Sequence, residues 1–281
     1  MHSTSHAQLD KKLKPIVPMY FDRQPVPCLV SKPPPHNHFC SEHDEPEADD
    51  PRKNFLLAAL PDDEYERIAP HLEPFPLPRA DILYRFDEHL EYTYFPTTAT
   101  VSLLCTMEDG ASIEVAVVGD EGLLGASILG DTALTQATVL NCGNSYRLNA
   151  KWLKYEIEQH GYLQSLVMRY TRTLIAQMAQ TTGCIRRHSV EQQLSRCLLL
   201  NLDRASCGSL TMTQEMMAGM LGVRRESITE VARKLQSAKL ISYNRGHIEV
   251  LNRPGLEARA CECYDVTKSE LGRLHADLLA A

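Results

Sequence analysis

A chain of 281 residues, 43% hydrophobic and 23% charged, is long enough for two modest domains and a tail, each with a real core. No run approaches the ~18–20 apolar residues of a membrane-spanning helix. Residues 1–10 also lack the apolar stretch of a secretory signal, so a cytoplasmic protein without a membrane partner is expected. The net charge of −7 is unevenly spread: residues 204–259 hold nine Lys/Arg against five Asp/Glu, a balance of +4, leaving −11 elsewhere. A basic segment on an acidic body still attracts phosphates locally.

Residues 1–51 are rich in proline and nearly free of apolar periodicity, and Ser41–Asp50 is acidic. Such a segment buries too little surface to offset its ordering entropy and reads as a disordered tail. It carries Cys28, His36, His38, Cys40 and His43 at metal-type spacing. The surroundings offer no supporting shell, so no metal centre is expected there or elsewhere. The nine cysteines, odd in number and without framework spacing, read as reduced thiols.

Ordered structure is expected from Arg52. Helical patterns cover Asn54–Leu60 and Asp62–His71, the second with acidic residues in its first turn. Short β-branched and aromatic runs follow at Ile82–Tyr84, Tyr92–Phe95, Thr100–Met107, Ser112–Val118, Ala137–Asn141 and Ser145–Leu148. Turn signals separate them, so residues 52–160 predict a compact antiparallel sandwich or roll.

The segment 161–187 then reads as one long helix, free of proline and holding glycine only at its ends. Leu163, Val167, Tyr170, Leu174, Gln177 and Thr181 form a stripe spaced by four and three. That spacing suits a seam against a second copy, or a helix packed on its own domain, and the stripe turns polar at Gln177 and Thr181.

Residues 188–264 carry the most informative pattern. Thr213 can cap a helix ending at Leu221, Gly222 breaks it, and a second helix starts near Arg224. Ile228, Val231, Ala232 and Leu235 form its apolar back. Arg225, Glu226, Thr229, Glu230 and Arg233 lie opposite, suited to a DNA major groove, where Arg reads guanine and Glu accepts from cytosine. Thr213, Gln214, Arg233 and Lys234 are better placed for phosphates, and so is Arg245 at the tip of a hairpin over Tyr243–Leu251. Cys261 and Cys263 read as packing beside this wing, and residues 265–281 as a helical extension.

With the stretch Leu221–Gln236 (LGVRRESITEVARKLQ), the chain resembles the Crp/Fnr family of bacterial transcription regulators over roughly Asn54–Tyr264. The resemblance implies an α+β chain: an antiparallel β-roll like a cyclic-nucleotide-binding domain, a long dimerisation helix, and a C-terminal winged helix-turn-helix. It places the family's base-reading pair on Arg225 and Glu226, with Glu230 where many members have Arg and Arg224 where a small cap is common. It implies double-stranded DNA, a second copy of the chain and RNA polymerase as partners. The family's sensor turn has a counterpart in Gly119-Asp120-Glu121-Gly122, making Glu121 and Gly122 candidate pocket residues. The Arg-Ser/Thr pair that holds a cyclic phosphate has none, since the region reads Leu134-Thr135-Gln136-Ala137-Thr138. Cyclic AMP is therefore not expected: its buried phosphate would lack a guanidinium partner. Cys28, Cys40, Cys105 and Cys142 lack the clustering of an iron–sulfur site, so no such cluster is expected either. No nucleophile elbow, phosphate loop, HExxH or dinucleotide fingerprint is present, so an enzyme is not expected. The rival reading is a sensor or interaction protein that does not bind DNA.

Overall fold

The computed structural model describes residues 49–126, 130–205 and 209–279. The tail cysteines and histidines at 28–43 lie outside them. Two short helices come first, α1 (Phe55–Ala58) and α2 (Asp62–Ile68). Strands β1 (Glu73–Leu77), β2 (Ile82–Tyr84), β3 (Tyr92–Pro96), β4 (Thr100–Thr106), β5 (Ser112–Val118), β6 (Gln136–Asn141) and β7 (Gly143–Asn149) follow. The antiparallel sheets β1-β7-β3 and β2-β6-β4-β5 face each other as a β-roll. Phe95 and Leu148 from one sheet share a core with Val101, Ala137 and Val139 from the other.

Asn54 anchors the entry to this body. Its Oδ1 accepts from the Leu56 and Leu57 amides, capping α1, while its Nδ2 donates to the Pro96 and Gly122 carbonyls at 2.9 and 2.8 Å. A fully buried amide is tolerated because both of its ends are satisfied.

Helices α3 (Ala150–Glu158) and α4 (Tyr162–Arg187) leave the roll. The amides of Tyr162 and Leu163 donate to the two oxygens of Glu64, so a carboxylate closes the positive end of the long helix. The stripe expected to meet a second copy faces inward instead. Leu163, Val167, Tyr170, Gln177 and Thr181 are buried within the single chain, Leu174 packs on the roll core, and Gln177 Nε2 donates to the Val117 carbonyl. The cause is that the roll lies along this apolar face and needs it covered. The residues that α4 leaves outward include Met168, Arg172, Ile175 and Ala179, again spaced by four and three.

Helix α5 (Val190–Leu202) starts at a capping box formed by Ser189 and Gln192. Strand β8 (Ser209–Thr211), helices α6 (Gln214–Leu221) and α7 (Arg225–Ser237), and hairpin strands β9 (Ile241–Asn244) and β10 (His247–Val250) complete a winged helix. Its sheet runs β8-β10-β9. Helix α8 (Arg253–Glu257) leads to α9 (Cys263–Leu279), which runs back along α4. Gln180 Nε2 donates to Cys263 Sγ near one end of that pair, and Arg169 to the Asp277 carbonyl near the other, so the two helices are antiparallel. Leu274 and Leu278 of α9 enter the roll core beside Phe55, whose ring meets His275 edge-on.

The winged-helix core is continuous with the back of the roll. Val117 and Leu140 share a cluster with Leu198, Met217, Ile228 and Leu235. All described residues belong to one compact body. No helix among them is long and apolar enough to cross a membrane.

Candidate nucleic-acid interface

The helix-turn-helix is built by local rules. Thr213 caps α6, its hydroxyl accepting from the Met216 amide at 3.1 Å. Gly222 ends α6 in the left-handed region at φ 62°, and an added Cβ there would lie 3.0 Å from Ile113 on β5. Both the turn and the close approach thus require glycine. Arg224 is the N-cap of α7 but makes no side-chain cap hydrogen bond, so its guanidinium stays exposed.

On α7, Ile228, Val231, Ala232 and Leu235 are buried, as their spacing predicts. Arg225, Glu226, Glu230 and Arg233 are exposed on the opposite side. Arg225 Nε lies 4.0 Å from Glu215, a loose contact between exposed groups. Glu230 is held by Lys234 one turn on at 2.8 Å, and this hydrogen bond keeps its carboxyl below the usual range. Thr229 differs from its neighbours on this face: half-buried, with its hydroxyl 2.7 Å from Gln214 Oε1 and 3.1 Å from the Arg225 carbonyl. Thr229 and Gln214 thereby tie α6 to α7 rather than both standing free. Arg245 and Gly246 form the wing tip, both with positive φ (48° and 87°), the conformation that closes a two-residue hairpin. Arg245 is exposed there.

The sensor-turn residues have a different setting from the one expected of a pocket. Glu121 is buried, and Arg204, equally buried, reaches its Oε1 with both Nε and Nη2 at 2.7 Å. Its Oε2 accepts from the Gly119 amide at 3.1 Å. At Gly122 a Cβ would fall 2.4 Å from the Tyr170 ring, so the turn is closed against α4. The carboxylate that could have met a ligand serves the segment following α5. Arg79, in the β1–β2 loop, likewise reaches the winged helix, bonding the Thr211 carbonyl and lying 3.7 Å from Met216 Sδ. Neither arginine is foreshadowed by a local pattern, because their partners lie 83 and 132 residues away.

Cys261 and Cys263, read from the sequence as packing beside the wing, belong to a larger group. Cys184, His188, Cys261 and Cys263 bring one ligand atom each to within 4.8 Å of one another. Burial pushes the Cys184 and Cys261 thiols upward, with Arg196 opposing at Cys184. The sequence signal was present as Cys-x3-His and Cys-x-Cys, but Cys263 follows His188 by 75 positions. Cys142 is disulfide-bonded and so departs from the reduced thiols expected of the cysteines. Cys105, Cys184, Cys197, Cys261 and Cys263 are free thiols.

Residues 192–259 match the Crp-like helix-turn-helix domain family. No curated protein matches the chain. Among solved structures, FixK2 from Bradyrhizobium japonicum is 17% identical, with a TM-score of 0.59, covering 68% of this chain and 98% of its own. A putative Crp/Fnr-family transcriptional regulator from Eubacterium rectale is 17% identical, with a TM-score of 0.60 and coverages of 72% and 96%. A CRP-family transcriptional regulator from Thermus thermophilus is 18% identical, with a TM-score of 0.56 and coverages of 67% and 96%.

Proposed function

We propose, from the premise that residues 192–259 are a Crp-like helix-turn-helix domain carried on a Crp/Fnr fold, that the protein is a sequence-specific, DNA-binding transcription regulator acting as a homodimer. The observation that carries this reading is α7, with a buried apolar back and an exposed face of Arg225, Glu226, Glu230 and Arg233. Arg225 and Glu226, in the first turn, are the base readers. Arg224, Arg233, Thr213 and Arg245 are phosphate contacts that set the docking angle. Thr229 and Gln214 fix the crossing of α6 and α7. Glu230, engaged by Lys234, presents a carboxylate to the groove and disfavours a guanine acceptor edge opposite it.

The homodimer uses the outward stripe of α4, where Met168 and Ile175 are 56% and 58% exposed. Two recognition helices on one two-fold axis then meet a palindromic site, with RNA polymerase as the further partner of the bound dimer. The sensor body does not take cyclic AMP in the usual way. Arg204 occupies Glu121, Tyr170 closes on Gly122, and residues 134–138 offer no guanidinium for a cyclic phosphate.

Retention of genomic fragments in gel shifts at low salt, followed by selection of the preferred site, tests the reading. Arg225→Ala or Glu226→Ala should cost ~1–3 kcal/mol at the preferred site and relax its sequence. Arg245→Ala should weaken all fragments evenly. If no fragment is retained at low salt, the chain is a sensor or interaction protein instead.

A further inference from the structure

Four side chains outside the DNA-reading face converge where α4 ends. Cys184 lies in the last turn of α4, and His188 is its C-cap residue. Cys261 lies between α8 and α9, and Cys263 is the first residue of α9. Cys184 Sγ is 3.5 Å from Cys261 Sγ, and Cys263 Sγ is 3.5 Å from His188 Nδ1. The three cysteines are buried as a separate cluster, and His188 is half-buried. We propose that Cys184, His188, Cys261 and Cys263 form a zinc site that staples the end of the long helix to the segment leaving the winged helix.

The geometry fits a single tetrahedral ion. With Zn–S of about 2.3 Å and Zn–N of about 2.0 Å, ligand atoms stand about 3.5–3.8 Å apart along the edges. The two contacts at 3.5 Å match, and the outer limit of 4.8 Å requires only a small inward rotation of side chains. Three sulfurs and one imidazole nitrogen select zinc over hard cations, and all four protein ligands leave no open position, as in a structural site. Sulfurs this close surround one ion rather than a multi-iron cluster.

The neighbours supply what such a ligand set needs. With Nδ1 on the ion, His188 carries its proton on Nε2, which faces Glu262 Oε1 at 3.2 Å. That carboxylate fixes the tautomer and ring orientation. Gln180 Nε2 donates to Cys263 Sγ at 3.0 Å, stabilising a thiolate there. Arg196, buried and bonded to the Thr181 hydroxyl at 2.6 Å, puts a positive charge near a site that three thiolates and a divalent ion would leave with one net negative charge. Loading replaces the thiol protons of Cys184, Cys261 and Cys263 with the ion, releasing those protons to solvent, while His188 binds as the neutral imidazole.

The test uses the full chain, purified reduced from zinc-supplemented cells. Elemental analysis should give one zinc per chain. Cobalt exchanged into the same protein should give the absorption of a tetrahedral thiolate-rich site, which reads the ligands without any mutation. Cys263→Ser together with His188→Ala should abolish this stoichiometric binding, whereas Glu262→Gln should keep it with affinity about 10–100-fold weaker. The proposal fails if the folded wild-type chain retains neither zinc nor cobalt, if Cys184 and Cys261 are found as a disulfide, if the bound metal is iron, or if the double variant binds as wild type does.

Discussion

Glu121 occupies the turn where a ligand pocket is expected and is instead the acceptor of Arg204. Removing one partner of a buried pair strands the other charge, so Glu121→Ala should lower unfolding stability by about 3–5 kcal/mol, read from the urea midpoint at constant slope. An unchanged midpoint would mean that Arg204 finds water. Glu114 offers a second residue-level test. Burial raises its carboxyl to about 7 from 4.5, against the Ser102 hydroxyl at 2.7 Å and the charges of Arg196 and Arg204. Because the folded value lies above the unfolded one, the native chain holds the proton more tightly. The residue is without penalty below pH 4.5, and stability falls as pH rises from there towards 7. Glu114→Gln should remove that slope, on the order of 3 kcal/mol across the window, leaving the variant more stable than the parent at pH 8. Equal pH profiles for the two would show the carboxylate to be solvated. Neither glutamate announces its role in the sequence. Glu121 sits in a recognisable turn, but its partner Arg204 arrives from 83 residues on.

At the level of elements, most strands could be read from β-branched alternation, and β2 and β5 fall on the expected residues. Strand β1 could not, because Glu-Pro-Phe-Pro-Leu reads as a breaker. It is tolerated because β1 is an edge paired only with β7, so the prolines need donate nothing to a second neighbour. The long helix was legible in extent but not in orientation. A four-three stripe marks an apolar face without saying what covers it, and here both faces carry that spacing. The two are separable by mutation. Ile175→Glu on the outward stripe should yield a folded monomer in light scattering, its thermal midpoint within a few degrees of wild type. Leu174→Glu, one residue away but packed on the roll core, should instead destabilise the fold itself. An Ile175→Glu protein that remains dimeric removes this face as the seam.

At the scale of the whole molecule, the helix-turn-helix was the most legible part, because capping, a glycine turn and amphipathic spacing are local. How it joins the rest was not. Gly222 rests on Ile113, Arg79 bonds Thr211, and Val117 and Leu140 lend the winged helix part of its core. The same holds for α9, which the sequence offers only as a helical extension and which the fold uses to line α4 and fill the roll core with Leu274 and Leu278. The winged helix therefore departs from the body at the end of α4 and is returned to it by α9, an inserted loop of structure rather than a pendant. A pendant on one joint can turn in any direction. Here the insertion is also seated on the roll, by Gly222 against Ile113, by Arg79 on Thr211 and by the core shared with Val117 and Leu140, so it is braced at its middle as well as at its ends. On the proposed function, a change in the roll would be felt by α7 directly through this bracing, as a strut passes on a load that a slack tether would absorb.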